Sequence, residues 1–146
     1  MVDEALSLRV KRLSPGAVLP SYARALDAGL DLASIEERTL APGERHGFRT
    51  GLALELPVGT LGLVLPRSGR ALREGLTVVN APGLIDAGYR GEVLVALVNL
   101  GEAPVVIRPG ERIAQLVVLP FPSVRVLEVT ELAASERGSG GFGHSG

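Results

Sequence analysis

The sequence predicts an all-β domain, a sandwich or barrel of short strands with one short helix. Apolar runs of Val, Leu and Ile are brief and end in Gly or Pro, of which the 146 residues hold 19 and 10. Period-two alternation also recurs: Leu6, Leu8 and Val10 alternate with Ser7, Arg9 and Lys11, the mark of a half-buried strand. The length suits one domain around one modest core.

Taken in order, Leu6–Lys11 is the first strand and Ser14-Pro15-Gly16 turns it. Val18-Leu19-Pro20 reads as a second strand or edge segment. In Ala28–Ser34, Asp31 points away from Leu30 and Leu32. It either faces solvent or supports an arginine or a metal-bound water. A Pro-Gly turn lies within Thr39–Gly43, and Phe48–Leu56 follows with Leu52, Leu54 and Leu56 on one face. His46, in the polar stretch before it, reads as a surface residue. Val58-Gly59 turns into Thr60–Leu65, which Pro66 stops. Ser68 is placed to cap a short helix through Arg70–Arg73. Free amides there, beside Arg67 and Ser68, would make a small anion site.

The densest chemistry lies in Val78–Gly91, between apolar runs at Leu76–Val79 and Glu92–Asn99. The pattern predicts a projecting hairpin that ends its first arm in Asn80, turns at Pro82-Gly83, and carries Asp86 on a short buried arm, Leu84-Ile85. Tyr89 and Arg90 follow a second turn at Ala87-Gly88. An amide, a carboxylate, an aromatic ring and a guanidinium converging on one pocket suit nucleotide recognition. The same Asp and Gly also suit ordinary turns.

Glu92–Asn99 is apolar on both faces, as in a central strand or one buried between subunits. After the Pro109-Gly110 turn, Gln115 is the one polar residue of Ile113–Leu119 and the only glutamine of the chain. A buried amide must be hydrogen-bonded, so it braces a loop or reaches a ligand. Phe121-Pro122 bends the chain into a last strand, Val124–Val129. The organisation is then a β domain over 1–134 and a mobile tail over 135–146. The tail contains G-x-G-x-x-G from Gly138 to Gly143, but no strand precedes it closely and no helix can follow, which rules out a Rossmann fingerprint. Such a tail can wrap an anion with backbone amides, and Phe142 can stack on a base.

Several classes fall away. A net charge of −1 gives no bulk attraction to nucleic acid, and Lys11 is the only lysine, so any polyanion site must be built from placed arginines. With no cysteine there is no disulfide or thiolate chemistry. His46 and His144 lack metal-ligand spacing. No apolar run approaches membrane-spanning length, and Met1–Glu4 lacks the features of a signal peptide. The expectation is a cytoplasmic protein that binds neither membrane nor nucleic acid.

Five of these stretches, in this order, resemble the motifs of the trimeric dUTPase family: Ala28–Leu32, Pro66–Ala71, Asn80–Gly91, Gly110–Leu116 and Arg137–Gly146. The resemblance implies a β-clip or distorted jelly-roll-like fold, a homotrimer with three sites between subunits, and Mg²⁺-dependent hydrolysis of dUTP to dUMP and pyrophosphate. It casts Asp86 as the base that activates the attacking water. Asn80, Gly83, Ile85 and the hairpin backbone would read uracil, and Tyr89 would pack under deoxyribose. Arg67, Ser68 and Gly69 would hold the phosphates, with Ser68 near the leaving oxygen, and Gln115 would meet the α-phosphate or the water. Arg137, Ser139, Gly140, His144 and Ser145 would clamp the γ-phosphate while Phe142 lids the base. Asp31 would support the metal's water shell or a phosphate-binding arginine. Two positions depart from the family: Arg70 where Leu is common, and His144 where Ser or Thr is usual.

A deoxycytidine-nucleotide deaminase shares the fold implied, but the Asp86–Tyr89 hairpin and the complete tail argue against it. A non-catalytic nucleotide sensor or structural trimer would be favoured by loss of Asp86, Ser68 or the tail, and all are present.

Overall fold

A computed structural model describes residues 6–143. These form eleven strands and one helix: β1 Arg9–Arg12, β2 Ser21–Tyr22, β3 Leu30–Ala33, β4 Arg38–Leu40, β5 Arg45–Glu55, β6 Thr60–Leu65, α1 Ser68–Glu74, β7 Leu76–Val78, β8 Gly83–Ile85, β9 Glu92–Asn99, β10 Val105–Ile107 and β11 Arg112–Pro120. One sheet has the order β1-β5-β9-β7, a second β2-β3-β11-β6-β8, and a small third pairs β10 with β4. Every pairing is antiparallel. The all-β expectation, with one short helix, holds.

The two larger sheets share one core, as period-two alternation requires. From the first come Phe48, Leu52, Leu54, Leu76, Val78, Val93, Val95 and Leu97; from the second come Leu32, Val64, Ile85, Ile113, Ala114 and Leu116. Two buried polar side chains are fully answered. Thr50 Oγ1 donates to the Val93 carbonyl (2.7 Å), where the β5–β9 register shifts. Asn99 Nδ2 donates to the carbonyls of Leu40 (3.0 Å) and Ala103 (2.8 Å), tying the end of β9 to β4. Among the described residues, no helix is long and apolar enough to cross a membrane.

Several expectations need correction. The second strand is Ser21–Tyr22, paired with β3, and Val18 and Leu19 are exposed before it. His46, read as a surface residue, lies half-buried within β5, 3.2 Å from the Glu36 carboxylate and edge-on to Phe48. Val124–Val129 is not a strand. The segment after β11 runs exposed, with Val124, Val126, Leu127 and Val129 all uncovered. Its apolar residues suit a strand, but no neighbouring edge in this chain accepts it. The central excursion is more than a hairpin. β7 and β9 pair with each other in the first sheet, while β8 between them crosses to the second and pairs with β6.

Candidate active site

The phosphate-type residues gather in a cleft of about 460 Å³ where β3, β6, β11 and the start of α1 meet. Pro66 ends β6, and Arg67 enters the helix in extended conformation. Ser68 is the first helical residue rather than the cap, and no side chain caps the helix. Its hydroxyl is therefore not engaged at the helix terminus. Register brings the rest together: Gln115 of β11 stands opposite both Asp31 of β3 and Leu65 of β6. Asp31 is shared by two arginines, one oxygen 3.5 Å from Arg67 Nε and the other 3.3 Å from Arg112 Nη1. Asp31 thus supports two arginines, one of the roles open to it.

Gln115 Nε2 donates to the Pro66 carbonyl (2.9 Å), bracing the loop that carries Arg67. Gly29 makes this possible, since a Cβ there would lie 2.3 Å from Gln115 Oε1. Arg70 does not add a loose charge beside the phosphate loop. Its guanidinium is bound by Glu74 (2.7 Å) and Glu111 (3.2 Å), so it ties α1 to the turn before β11. The hydrogen bond from Arg70 holds the Glu74 carboxyl below its ordinary range.

The base-type residues line a separate pocket of about 200 Å³. Asn80, Gly83, Ile85, Asp86 and Tyr89 all face it, over a floor that includes Val64, Val78 and Ala96. Ile85 is buried and anchors β8, which leaves the next residue, Asp86, exposed at the pocket. Leu84, expected in the buried arm, is 62% exposed. Gly83 lets the turn close, since a Cβ would lie 3.3 Å from that of Val64 and 3.4 Å from Asn80 Nδ2. Tyr89 is held at both ends: its amide donates to the Asp86 carbonyl (3.0 Å), and its hydroxyl donates to the Glu92 carbonyl (2.8 Å). The ring rests over Gly91, where a Cβ would meet the hydroxyl at 2.6 Å. Arg90 is not part of this pocket. It turns back to the Ala87 and Tyr89 carbonyls and to Glu55.

The sequence reading missed Glu92, which lines the pocket while its carboxylate takes a forked contact from Arg49 at 2.9 and 3.0 Å. A glutamate opening a strand looks like a boundary, and its partner lies 43 residues away.

The tail stands apart from both sites. Arg137 Nη2 donates to the Gly141 carbonyl (2.8 Å), closing a small curl with Phe142 exposed. Arg137, Ser139, Gly140 and Phe142 line neither the cleft nor the pocket. His144 and Ser145 lie outside the described residues. The structure thus assembles two parts of the expected site, in different places, and leaves the described part of the tail outside both.

Among the described residues, no three of His, Cys, Asp and Glu gather as a metal cage. Both oxygens of Asp31 already face arginines. With its oxygens so engaged, Asp31 could meet a hard cation only through water, in an outer sphere.

Comparison with known proteins gives one answer. A family model described as dUTPase matches residues 16–146. The deoxyuridine 5'-triphosphate nucleotidohydrolase of Clostridium kluyveri is 50% identical over 141 residues, 97% of this chain and 99% of that protein. That of Mycobacterium leprae is 53% identical over 146 residues, 96% of this chain and 95% of that protein. Among solved structures, a mutant of the Staphylococcus bacteriophage 80alpha dUTPase with dUpNHpp superposes with a TM-score of 0.88 at 33% identity, covering 96% of this chain and 98% of that one. A mutant dUTPase from phage phi11 of S. aureus, described with a structural Mg(II) ion, gives 0.78 at 28% identity, covering 86% and 97%.

Proposed function

The chain belongs to the dUTPase family, and on that premise we propose that it is a cytoplasmic dUTP pyrophosphatase working as a homotrimer. It hydrolyses dUTP to dUMP and pyrophosphate, limiting uracil in DNA and supplying dUMP for thymidylate synthesis. The observation that carries this reading is the pocket in which Asn80, Asp86 and Tyr89 face one space of about 200 Å³. An amide that reads a pyrimidine edge, a carboxylate and a ring for the sugar are what selective deoxyuridine chemistry needs.

The pocket and the phosphate cleft share no lining residue. This favours a site completed between subunits, with the base pocket of one copy facing the cleft of another. The exposed stretch after β11 then delivers the tail, residues 135–146, to a site on the assembly. Arg137, Ser139, Gly140, His144 and Ser145 close on the γ-phosphate and Phe142 on the base. Closure excludes bulk water and completes the charge neutralisation.

Asp86 accepts a proton from the water that attacks the α-phosphorus in line. Its own position is fixed by buried Ile85 on one side and the Tyr89 amide on the other. Arg67, Ser68, Gly69 and Gln115 hold the phosphates, so the reaction proceeds mainly by positioning and charge stabilisation. Mg²⁺ bound to the phosphates would supply further neutralisation, with Asp31 and Arg67 steadying its surroundings.

The test is product analysis with dUTP, dCTP, dTTP and UTP in turn, Mg²⁺ present. Release of dUMP and pyrophosphate from dUTP alone is expected. Deamination of dCTP would move the function to the sister enzyme, and no reaction with any of the four would leave a binding protein.

A further inference from the structure

Three arginines reach the phosphate cleft from α1 and the residue before it, and they differ in what answers their charge. Arg70 is held by two carboxylates, Glu74 and Glu111. Arg67 faces Asp31, which it shares with Arg112. Arg73 makes no ion pair among the described residues, and its charge reaches only Glu74, whose carboxyl is already bonded to Arg70. Asp27, the other carboxylate of this wall, instead accepts from the Arg24 amide at 2.9 Å.

The course of the Arg73 side chain is specific. Helical side chains lean toward the N-terminus, and this one lies back across Gly69. A Cβ on Gly69 would meet its Nη1 at 2.9 Å and its Nη2 at 3.2 Å. The glycine thus leaves room for a guanidinium beside Ser68 and Arg67. From there Arg73 lines both the Gln115 cleft and the adjoining bay, where four arginines stand with Glu74 and Glu111. Like charges gathered in this way repel, and their gathering becomes favourable around a multivalent anion.

We propose that Arg73 is a further ligand of the phosphate chain, gripping the two terminal phosphates that depart as pyrophosphate, while Arg70 is a strut. The inference rests on the functional reading above. The negative charge of a nucleoside triphosphate is greatest at its terminal end, where a guanidinium free of any close ion pair contributes most.

The experiment is calorimetric titration of the full chain and its Arg73→Gln variant with inorganic pyrophosphate and with dUMP, Mg²⁺ present, alongside steady-state kinetics on dUTP. Pyrophosphate affinity should fall on the order of tenfold, as for loss of one charge-assisted contact, while dUMP affinity holds. KM for dUTP should rise by a similar factor, with kcat changed far less. Arg73→Lys, which keeps the charge on the same stretch of helix, should recover much of the lost pyrophosphate affinity, as a direct charge contact requires and a merely structural role does not. Turnover of dUTP by the unaltered chain, with equal pyrophosphate affinity in the variant, overturns the role of Arg73. So does failure of the unaltered chain to bind pyrophosphate. Pyrophosphate binding that depends on Arg73, without dUTP turnover, supports the ligand role and overturns the functional reading instead.

Discussion

Gly29→Ala should damage the site through one side chain. The new Cβ would fall 2.3 Å from Gln115 Oε1 and 3.1 Å from both Cβ and Cδ of that residue. To reach ordinary contact the amide must withdraw by roughly 1 Å or more, which breaks its 2.9 Å bond to the Pro66 carbonyl. Loss of that bond costs about 0.5–1.5 kcal/mol, and the abandoned carbonyl about 1 kcal/mol more where water reaches it poorly. Gly29 is not among the residues at positive φ, so alanine fits the backbone and offsets about 0.4–1 kcal/mol through the unfolded chain. The net is a destabilisation of roughly 1–2 kcal/mol, or a Tm lower by about 3–8 °C for a domain of this size. Turnover should suffer more, on the order of tenfold in kcat/KM, because the braced loop carries Arg67. Urea unfolding at one fixed protein concentration and a pyrophosphate-release assay measure the two effects. In a Gln115→Ala background the added cost of Gly29→Ala should largely disappear. An equal cost in both backgrounds, or a Gly29→Ala protein with unchanged stability and turnover, would refute the reasoning.

Three other expectations follow from the same geometry. Asp86→Asn should preserve nucleotide binding and lower kcat on the order of 10²–10⁴; near-normal turnover would remove Asp86 from its role. Removing residues from Arg137 onward should abolish most turnover while size-exclusion still reports the assembly of the intact chain, and a monomer would make the tail a structural arm. Arg70→Leu should destabilise by about 1 kcal/mol at most at neutral pH. Because the folded-state pKa of Glu74 is lowered by Arg70, that contribution is present above the ordinary glutamate range and is lost as pH falls through the folded value. The difference in urea midpoint between Arg70→Leu and the parent should therefore shrink in acid; a gap that widened in acid would contradict the pairing.

The sheets were legible because the buried runs of β5, β9 and β11 are apolar stretches bounded by turns, and burial alternates along β6. Thr60–Leu65 matches β6 residue for residue. Pairing partners were not legible, since an extended segment does not encode which edge it meets. Val124–Val129 has strand-like residues and pairs with nothing here, and Ser21–Tyr22 is a strand only because β3 offers it an edge. The site's composition was legible at Asn80, Asp86, Tyr89, Ser68 and Gln115, which bring scarce chemistry to short turns or an apolar strand. The aim of long side chains was not. Arg90 sits beside Tyr89 in sequence and points elsewhere, and the charge of Arg70 is answered by Glu111, 41 residues on.

The crossing of β8 from one sheet to the other ties the pocket of Asn80 and Asp86 to the interior. The base pocket takes Val78 and Ala96 from the first sheet, and Val64 and Ile85 from the second. Its walls therefore come from both layers, whose packing rests on side chains such as Phe48, Leu97 and Leu116. A core substitution that thickened or thinned the sandwich would act as a change of gauge. It would appear as altered tolerance of a methyl group on the pyrimidine, in a protein whose reacting groups were all intact.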